Sequence, residues 1–431
     1  MRRCLGLDLG TTNSSLALAN AGRNIQLAQF PHSGGSSDTF RSILYFHPDA
    51  HDARRGITSV AGSTAIERYL EADGTGRLIQ SIKSYLADSS FESTSVFGRT
   101  YSLTDLLSFL VRELRAIAEQ QMGPLGPRIV VGRPVHFSGG KGDNDDAYAE
   151  GRLRKAIAAA GFEEIVFEYE PVAAAYYYES RLDHDELVLI ADFGGGTSDF
   201  SLIRVGPTAR KSNQADRILG NDGVGIAGDA LDAKILHHLV SPSIGLGSSY
   251  QSMLGKELPV PVWIYAKLRR WHHLSFLKSK RTTELLREIL DQSLEPEKIR
   301  ALVHIIDQDL GYHLYRAVEK AKVSLSQSER TTFLFEDDTL RIEHPLARAD
   351  FESWIADETT AMSECVDRLL AKVGVNAREV DRVFMTGGTS FVPAVRAIFD
   401  TRFGAEKIEA GGEMISVASG LALRAHDLDR A

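Results

Sequence analysis

Two short segments of the chain combine residue types that could hold a polyphosphate together with its metal ion. In each, an apolar run ends in an aspartate, Asp8 or Asp192, and a turn rich in glycine and threonine follows. Glycine lets the backbone approach a ligand closely, and the N–H groups and hydroxyls of such a turn can donate to phosphate oxygens. The aspartates suit Mg²⁺, which keeps most of its water when a protein binds it. The sequence therefore predicts two phosphate-binding turns, Gly10, Thr11, Thr12 and Asn13 in the first and Gly194, Gly195, Gly196 and Thr197 in the second.

Predicted strands flank both turns, so that one strand–turn–strand unit occurs twice. A third turn, Gly387-Gly388-Thr389, follows the apolar run 383–385. Apolar residues at helical spacing and the position of proline predict helices over 102–121, 147–160, 172–178, 392–403 and 416–426. Alternating strands and helices predict an α/β fold, and the repeated unit predicts two similar halves that face one cleft.

The composition argues against several classes of protein. The net charge of −9 over 431 residues is unsuited to a protein built mainly to bind nucleic acid. Two cysteines are too few for a disulfide framework, and no apolar run approaches the ~20 residues of a membrane-spanning helix. A P-loop is excluded, because neither Gly140-Lys141 nor Gly255-Lys256 is followed by serine or threonine. We therefore expect a soluble, cytoplasmic protein with no membrane partner.

Seven motifs in a fixed order cover essentially the whole chain. They are Leu5–Ser14, Ser81–Lys83, Val131–Pro134, Glu170–Ala175, Asp192–Asp199, Glu319–Ser326 and Gly387–Pro393. As an ordered set, they resemble the nucleotide-binding domain of the DnaK-type heat-shock chaperones, in the actin-like ATPase superfamily. The resemblance implies an α/β actin-like ATPase fold: two βα lobes, each with a smaller variable subdomain, and a nucleotide cleft between them.

The resemblance also implies roles for single residues around ATP or ADP and Mg²⁺. Asp8 and Asp192 would hold the metal, largely through its water, while the two turns would bind the phosphates. Lys83 would position the attacking water and offset charge at the γ-phosphate. The residues implied to be catalytic are Lys83, Glu170, Thr197 and Asp199.

Some of these assignments have simpler alternatives. Most lysines are solvated surface charges, and Glu170 could merely start a helix, where the helix dipole favours a carboxylate. The resemblance further places Pro134 in a nucleotide-sensing switch, and it leaves open whether Arg152 or Arg154 is the arginine partner of that proline.

The nucleoside would be held by residues from the later motifs. Glu319, Lys322 and Ser326 are spaced three and four apart, so they share one face of a helix. The alternative is an ordinary amphipathic helix, whose apolar face would be formed by Leu314, Val318, Ala321 and Leu325. The resemblance also assigns nucleotide contacts to Gly228, Gly387, Gly388, Thr389 and Phe391. The related chaperones hold adenine between two arginines where this chain has Val323 and Phe391, so the preference for adenine over guanine stays open.

The resemblance predicts how the chain divides. Lobe I would span residues 1–187, with a variable subdomain at about 38–124, and lobe II would span 188–405, with a variable subdomain at about 227–349. Residues 406–431 would return to lobe I. An insertion at about 240–310 departs from the family pattern. We also expect no client-binding domain, because the chain ends just after the last helix of the nucleotide domain.

That insertion contains a basic and aromatic segment, Trp263 to Arg287. Its basic residues are Lys267, Arg269, Arg270, Lys278, Lys280, Arg281 and Arg287, and interleaved with them are Trp263, Tyr265, Trp271 and Phe276. The segment could bind a partner protein, whereas nucleic acid is not expected. The alternative is a helical subdomain with a basic solvated face and an aromatic core.

These observations predict a chaperone-like protein that binds Mg-ATP and hydrolyses it slowly, with the opening and closing of its lobes as the output. A second hypothesis is a regulatory or assembly protein that binds nucleotide without significant turnover. A small-molecule kinase is a third, but no residue can be assigned as the base for a substrate hydroxyl.

Overall fold

The structure is a computed structural model of the 431-residue chain. It describes residues 3–20, 24–32, 34–48, 56–72, 76–140, 142–179, 182–209, 217–252, 255–269, 277, 280–308, 310–410 and 416–429. The side chains of residues 143, 280 and 410 lie outside the description.

The described chain forms two compact units. The first comprises Met1–Gly228, Thr359–Phe391 and Val395–Ala431, and the second comprises Asp229–Glu358 and Val392–Ala394. The variable subdomains expected at about 38–124 and 227–349 stay predictions. The division into lobes at residue 187 stays a prediction.

The bounds of the strands and helices follow the chain order. The strands of the first unit are β1 Cys4–Leu9, β2 Asn13–Ala19, β3 Ile25–Leu27, β4 Phe30–His32, β5 Gly35–Ser37, β6 Phe40–Arg41, β7 Ile43–Pro48, β8 Ile57–Ala61, β9 Arg77–Gln80, β10 Ser93–Val96, β11 Arg99–Ser102, β12 Arg128–Arg133, β13 Glu164–Tyr169, β14 Glu186–Phe193, β15 Ser198–Val205, β16 Ile218–Val224, and, later in the chain, β21 Arg382–Thr386 and β22 Ile408–Ala410. Those of the second unit are β17 Ser249–Gln251, β18 Glu257–Pro259, β19 Arg330–Glu336 and β20 Arg341–Ala347. The helices are α1 Ser63–Glu71, α2 Leu103–Met122, α3 Asp143–Ala159, α4 Glu170–Glu179, α5 Gly228–Ile235, α6 Val262–Leu268, α7 Lys280–Gln292, α8 Pro296–Asp307, α9 Gly311–Gln327, α10 Arg348–Trp354, α11 Ala356–Val373, α12 Pro393–Phe403 and α13 Ser416–Leu428. Each predicted helix is present, with its ends displaced by a few residues.

Two sheets of the first unit have the same strand order and the same strand directions. In the first sheet the order is β3-β2-β1-β12-β13, with β6 also paired to β2, and in the second it is β16-β15-β14-β21-β22. The central strand of each, β1 or β14, forms an antiparallel hairpin on one side and a parallel pair on the other. The repeated unit seen in the sequence therefore occupies equivalent places in two sheets of equal topology.

Helices α4 and α13 join the two sheets through one apolar core. Val130 of the first sheet and Val188 of the second belong to the same buried cluster as Ala173 of α4 and Leu421 of α13. The two helices approach closely because their contact surfaces carry small residues. A Cβ atom at Gly420 would overlap the carbonyl oxygen of Ala173, so only glycine fits there.

Helix α2 covers the other side of the first sheet. It begins after Ser102, whose side chain and that of Asp105 cap each other's backbone N–H groups in a capping box. The apolar residues that predicted this helix, among them Leu106, Leu110 and Leu114, are buried in a second cluster with β1 and β12. Within the described part of the chain, no helix combines the length and the apolar character needed to cross a membrane.

Candidate functional site

The first predicted turn connects β1 and β2. Asp8 lies opposite Ser15 in this hairpin, one residue before the end of β1. A Cβ atom at Gly10 would overlap the carbonyl oxygen of Asn13, so the turn requires glycine at this position. The Thr12 carbonyl accepts a hydrogen bond from Ser42 N–H at 2.9 Å, which attaches the turn to the start of β7. The turn is thus tight and fixed at both ends.

The second predicted turn connects β14 and β15 in the same way. Asp192 and Asp199 lie opposite each other across the hairpin, and Gly194 N–H donates to the Thr197 carbonyl at 2.9 Å. Gly194 is exposed, and Gly195, Gly196 and Thr197 are half-buried.

The third turn follows β21, which runs parallel to β14 and brings Thr386 beside Asp192. Gly387 has a φ of +87°, and a Cβ atom there would overlap the carbonyl oxygen of Phe193. The chain then forms a 3₁₀ turn, Gly388–Phe391, in which Thr389 and Ser390 are buried. Phe391 is 53% exposed.

Lys83 and Glu170 form a buried ion pair beside the hairpins. The two atoms Lys83 Nζ and Glu170 Oε1 lie 2.6 Å apart, and each side chain is about one-tenth exposed. Lys83 lies in the 3₁₀ turn Ile82–Tyr85, which follows Ser81 in a left-handed conformation with a φ of +53°. Such a conformation is unfavourable for a residue with a side chain, so the surrounding contacts must hold it. Glu170 is the first residue of α4, which the sequence predicted.

The Lys83 turn and the second hairpin are neighbours. A Cβ atom at Gly196 would lie 3.8 Å from the hydroxyl oxygen of Ser84 and 3.4 Å from that of Ser138. The structure therefore brings the glycine turn of β14–β15 next to the segment that carries Lys83.

Electrostatic interactions connect both aspartates that precede the turns. Burial, reinforced by the charge of Glu170, raises the pKa of Asp8 to about 7, although Lys83 opposes this shift. Burial raises the pKa of Asp192 well above its ordinary value, and the charges of Glu170, Asp8 and Asp199 raise it further. Asp8 and Asp192 therefore lie in one acidic cluster, which we define as Asp8, Glu170, Asp192 and Asp199 with the ammonium group of Lys83.

In Asp199 and Lys83, burial and the charges of the cluster also act on the pKa values. Burial and the charge of Glu170 raise the pKa of Asp199 to about 7, against the lowering effects of Thr197, Val135 N–H and Lys83. For Lys83, burial alone would lower the pKa, but the charges of Glu170 and Asp8 and the hydrogen bond to Glu170 raise it above its ordinary value. Lys83 is thus a firmly protonated lysine, surrounded by carboxyl groups that repel each other.

Comparison with known proteins places the chain in a family. The model of the Hsp70 protein family matches residues 72–243 and 295–429. The chain belongs to the Hsp70 family. The gap between the two matched stretches falls inside the insertion predicted at about 240–310. The actin-like ATPase fold of this family agrees with the α/β architecture and with the duplicated sheet.

Two curated relatives are both called chaperone protein DnaK. The one from Thermosipho melanesiensis is 24% identical over 428 residues, which are 98% of this chain and 58% of the relative. The one from Deinococcus proteolyticus is 24% identical over 450 aligned positions, 99% of this chain and 59% of the relative. The chain thus spans just under three-fifths of the length of these Hsp70 relatives.

In this Hsp70-family chain, Asp199 connects the cluster to the segment after Pro134. The backbone N–H of Val135 donates to Asp199 Oδ1 at 3.0 Å. Asp146, which is buried, accepts from Phe137 N–H at 2.7 Å. The residues after Pro134 are therefore held by two carboxylates, one of which belongs to the acidic cluster.

The two arginines that the sequence left open differ in their surroundings. Arg152 is buried, and its guanidinium donates to the carbonyl oxygens of Tyr85, Leu86, Asp88 and Phe91. Arg154 is exposed and donates to the Ile165 carbonyl at 2.8 Å. Arg152 therefore holds the segment that directly follows the Lys83 turn through hydrogen bonds. Its sequence position alone did not reveal this role.

The residues of helix α9 that were assigned to the nucleoside lie in the second unit. Glu319, Lys322 and Ser326 are half-buried on α9, whose opposite face (Leu314, Val318, Ala321 and Leu325) is buried as predicted. Lys322 Nζ forms an ion pair with Asp232 Oδ1 at 2.8 Å, and Glu319 pairs with Arg316 at 3.2 Å. Val323 is 54% exposed on the same helix. Gly228, the first residue of α5, is buried and belongs to the first unit.

The described part of the basic segment is mostly helical. Lys267 lies over the ring of Trp263 at 5.3 Å, and Trp263 is 41% exposed. Tyr265 and Leu268 are buried. Arg270, Trp271, Phe276 and Lys278 fall outside the described residues, as does the side chain of Lys280, so the predicted partner surface stays a prediction.

Proposed function

We propose that this Hsp70-family chain is a chaperone-like ATPase that binds Mg-ATP and hydrolyses it slowly to ADP and phosphate. The observation that carries the proposal is the buried Lys83–Glu170 ion pair inside a cluster that also contains Asp8, Asp192 and Asp199. Phosphoryl transfer asks a protein mainly for positioning and for charge neutralisation. This cluster, flanked by two glycine turns, offers both.

The carboxyl groups present fit Mg²⁺. Asp8 and Asp192 repel each other and Glu170, as their raised pKa values indicate, and a divalent cation would relieve that repulsion. Among the described residues, no three His, Cys, Asp or Glu side chains could together hold a metal ion. Ligation by Asp8 and Asp192 would therefore be largely through water, as Mg²⁺ prefers. When bound, the ion would neutralise phosphate charge.

The protein's own groups divide the remaining tasks. Glu170 keeps Lys83 protonated and holds Nζ in one place, so that Lys83 can orient a water molecule and offset charge at the terminal phosphate. Glu170, Asp199 and Thr197 would hold that water, and Asp199 can accept a proton near neutral pH because its pKa is raised to about 7. The N–H groups of both turns would donate to phosphate oxygens.

The output proposed here is a conformational change. Asp199 Oδ1 accepts a hydrogen bond from the backbone N–H of Val135, the residue after Pro134. This hydrogen bond would connect a change at the terminal phosphate to that segment. A nucleotide shifts an equilibrium between open and closed forms only if it makes different contacts in the two. Loss of the terminal phosphate would remove such contacts at Lys83 and Thr197.

A single-turnover experiment tests this function. We expect phosphate release from Mg-ATP by the wild-type chain, and we expect Lys83→Ala to slow it at least ~100-fold while nucleotide binding persists. Lys155, which is exposed on α3, provides the matched control, and Lys155→Ala should leave the rate unchanged.

Other outcomes would identify the rival functions. Tight Mg-ATP binding without phosphate release would favour a regulatory or assembly protein that does not turn over nucleotide. Phosphate transfer to an added acceptor, in place of release into buffer, would favour a kinase. Calorimetric titration with ATP, ADP and GTP would decide the base preference that Val323 and Phe391 leave open.

A further inference from the structure

Arg41 lies beside the first hairpin and has no role in the assignments above. It is the second residue of β6, which pairs with β2 so that Arg41 lies opposite Asn13. Its Nη1 donates to Asn13 Oδ1 at 2.9 Å. The next residue, Ser42, donates its N–H to the Thr12 carbonyl. Side chain and backbone therefore attach Arg41 to the first glycine turn.

The strand register places Arg41 on the face of the sheet that carries Asp8. Asp8 lies directly opposite Ser15, so their side chains share a face. Asn13 lies two residues before Ser15 on the same strand and therefore shares that face as well. Arg41 lies directly across from Asn13, so its side chain is on this face too. The guanidinium thus lies at the turn and on the side of the acidic cluster.

One donor group of Arg41 is still available. The Nη2 atom is buried and has no hydrogen-bond partner among the described residues. A buried charged donor without an acceptor is costly, and few such groups persist in folded proteins without a reason. The guanidinium fork matches the geometry of phosphate oxygens, to which it can donate two parallel hydrogen bonds. An anion bound at the turn would therefore satisfy Nη2.

A polyphosphate bound next to the acidic cluster would need more positive charge than Lys83 provides. The cluster sets four carboxyl groups against the single ammonium group of Lys83. A polyphosphate brought next to these carboxylates adds more negative charge, which needs further cationic groups nearby. Arg41 supplies one beside the turn, on the face of the sheet that carries Asp8. We propose that Arg41 belongs to the phosphate subsite, where Nη2 donates to a phosphate oxygen while Nη1 stays on Asn13. This inference rests on the proposed function, since that function names a nucleotide as the ligand.

Calorimetric titration of variants tests the inference. The ligands are Mg-ATP, magnesium tripolyphosphate and adenosine, and the proteins are the wild type, Arg41→Met, Arg41→Lys and the control Arg112→Met. Methionine keeps an unbranched stem and removes every donor, whereas lysine keeps the charge. Arg112 is an exposed arginine on α2.

We expect Arg41→Met to bind Mg-ATP and tripolyphosphate about tenfold to a hundredfold more weakly, with adenosine binding unchanged. Arg41→Lys should lie between this variant and the wild type, and Arg112→Met should match the wild type. Equal Mg-ATP binding by the wild type and both Arg41 variants would overturn this inference and leave the proposed function standing. Equal losses for adenosine and Mg-ATP would also overturn it, because they indicate a purely structural role.

The titration with magnesium tripolyphosphate distinguishes a failure of this inference from a failure of the proposed function. A wild type that binds tripolyphosphate in an Arg41-dependent way but does not bind Mg-ATP would keep the phosphate subsite and overturn the ATPase. A wild type that binds neither ligand would overturn both. Arg41→Lys keeps the test decisive if the methionine variant fails to fold.

Discussion

The acidic cluster opposes folding when all its members are ionised. Asp199 is almost fully buried, and Asp192 is nearly as inaccessible. Burial and mutual repulsion raise the pKa values of Asp8 and Asp199 to about 7, far from the ordinary value of 3.8. Lys83 compensates for only part of this repulsion. Such a cluster lowers the stability of the folded state, and groups with shifted pKa values are common at functional sites.

Substitution of Asp199 should show how much the acidic cluster lowers the free energy of unfolding. We expect Asp199→Asn to be on the order of 1–3 kcal/mol more stable than the wild type at pH 8, because it removes one buried charge. The amide oxygen can still accept from Val135 N–H. Phosphate release should be lost at the same time. Urea unfolding at pH 8 measures the first effect, and the exposed Asp338→Asn serves as the charge-matched control.

The same variant should change the pH dependence of stability. Between about pH 4 and pH 7 the folded protein binds more protons than the unfolded chain, because the pKa values of Asp8 and Asp199 are raised on folding. The free energy of unfolding therefore falls as the pH rises through this window. The fall should be shallower in Asp199→Asn than in the wild type. Parallel profiles for the two proteins would contradict the raised pKa of Asp199.

Single residues of the site differed in how far the sequence could predict them. Asp8 and Asp192 stood out because each ends an apolar run before a glycine turn, and both lie where that pattern implies. Lys83 has no such local signal, and only the family resemblance selected it. Arg41 was not among the predicted site residues, because its strand pairing with Asn13 is not visible from composition or spacing.

At the level of elements, the segment from the Lys83 turn to Phe91 has little regular structure of its own. Ser81 begins it in a left-handed conformation, and only the short 3₁₀ turn Ile82–Tyr85 interrupts the loop. Its carbonyl oxygens are satisfied from outside by the Arg152 guanidinium, which reaches four of them. Helix α3 therefore holds the loop that carries Lys83 through one side chain.

Removal of this arginine should loosen the loop. We expect Arg152→Met to lower the free energy of unfolding by about 2–4 kcal/mol, since four buried or partly buried carbonyl oxygens lose a donor. Amide hydrogen exchange in residues 82–91 should accelerate, and phosphate release should slow. Arg154→Met on the same helix provides the control and should change each readout little. Similar exchange rates in the two variants would show that Arg152 does not hold the loop.

Strands and helices were predictable where the spacing of apolar residues in the sequence matches the buried positions of the structure. The hairpins at residues 8–13 and 192–198 were anticipated because apolar strands flank glycine turns. The strand Glu164–Tyr169 was not anticipated, because Glu164 and Glu168 interrupt its apolar pattern. The ion pair between Lys322 and Asp232 was also missed, because it joins residues of α9 and α5 that are distant in the sequence.

At the scale of the whole molecule, stability of the first unit depends on the two helices between the sheets. The cluster that contains α4 and α13 includes residues of both sheets, so neither sheet has an independent core on this side. The contact between the helices is backbone to backbone at Gly420, where no side chain fits. Damage at this point should therefore affect both sheets together.

We expect Gly420→Val to lower the free energy of unfolding by about 3–5 kcal/mol or to prevent folding, because the branched side chain must force α13 away from α4. Asp427→Val, at a more exposed position of the same helix, should have a small effect. Thermal unfolding followed by near-ultraviolet circular dichroism measures both variants. A Gly420→Val protein as stable as the wild type would contradict the role given to this contact.

The equal strand order of the two sheets has a consequence for what each hairpin can offer a ligand. Two identical halves would offer identical hairpins. A nucleotide is not symmetric, since one of its ends is a base and the other a chain of phosphates. In this chain the surroundings of the two hairpins differ: Arg41 pairs beside the first, and the turn that ends in Phe391 follows the strand next to the second. The two halves therefore offer unequal surfaces despite their equal strand order.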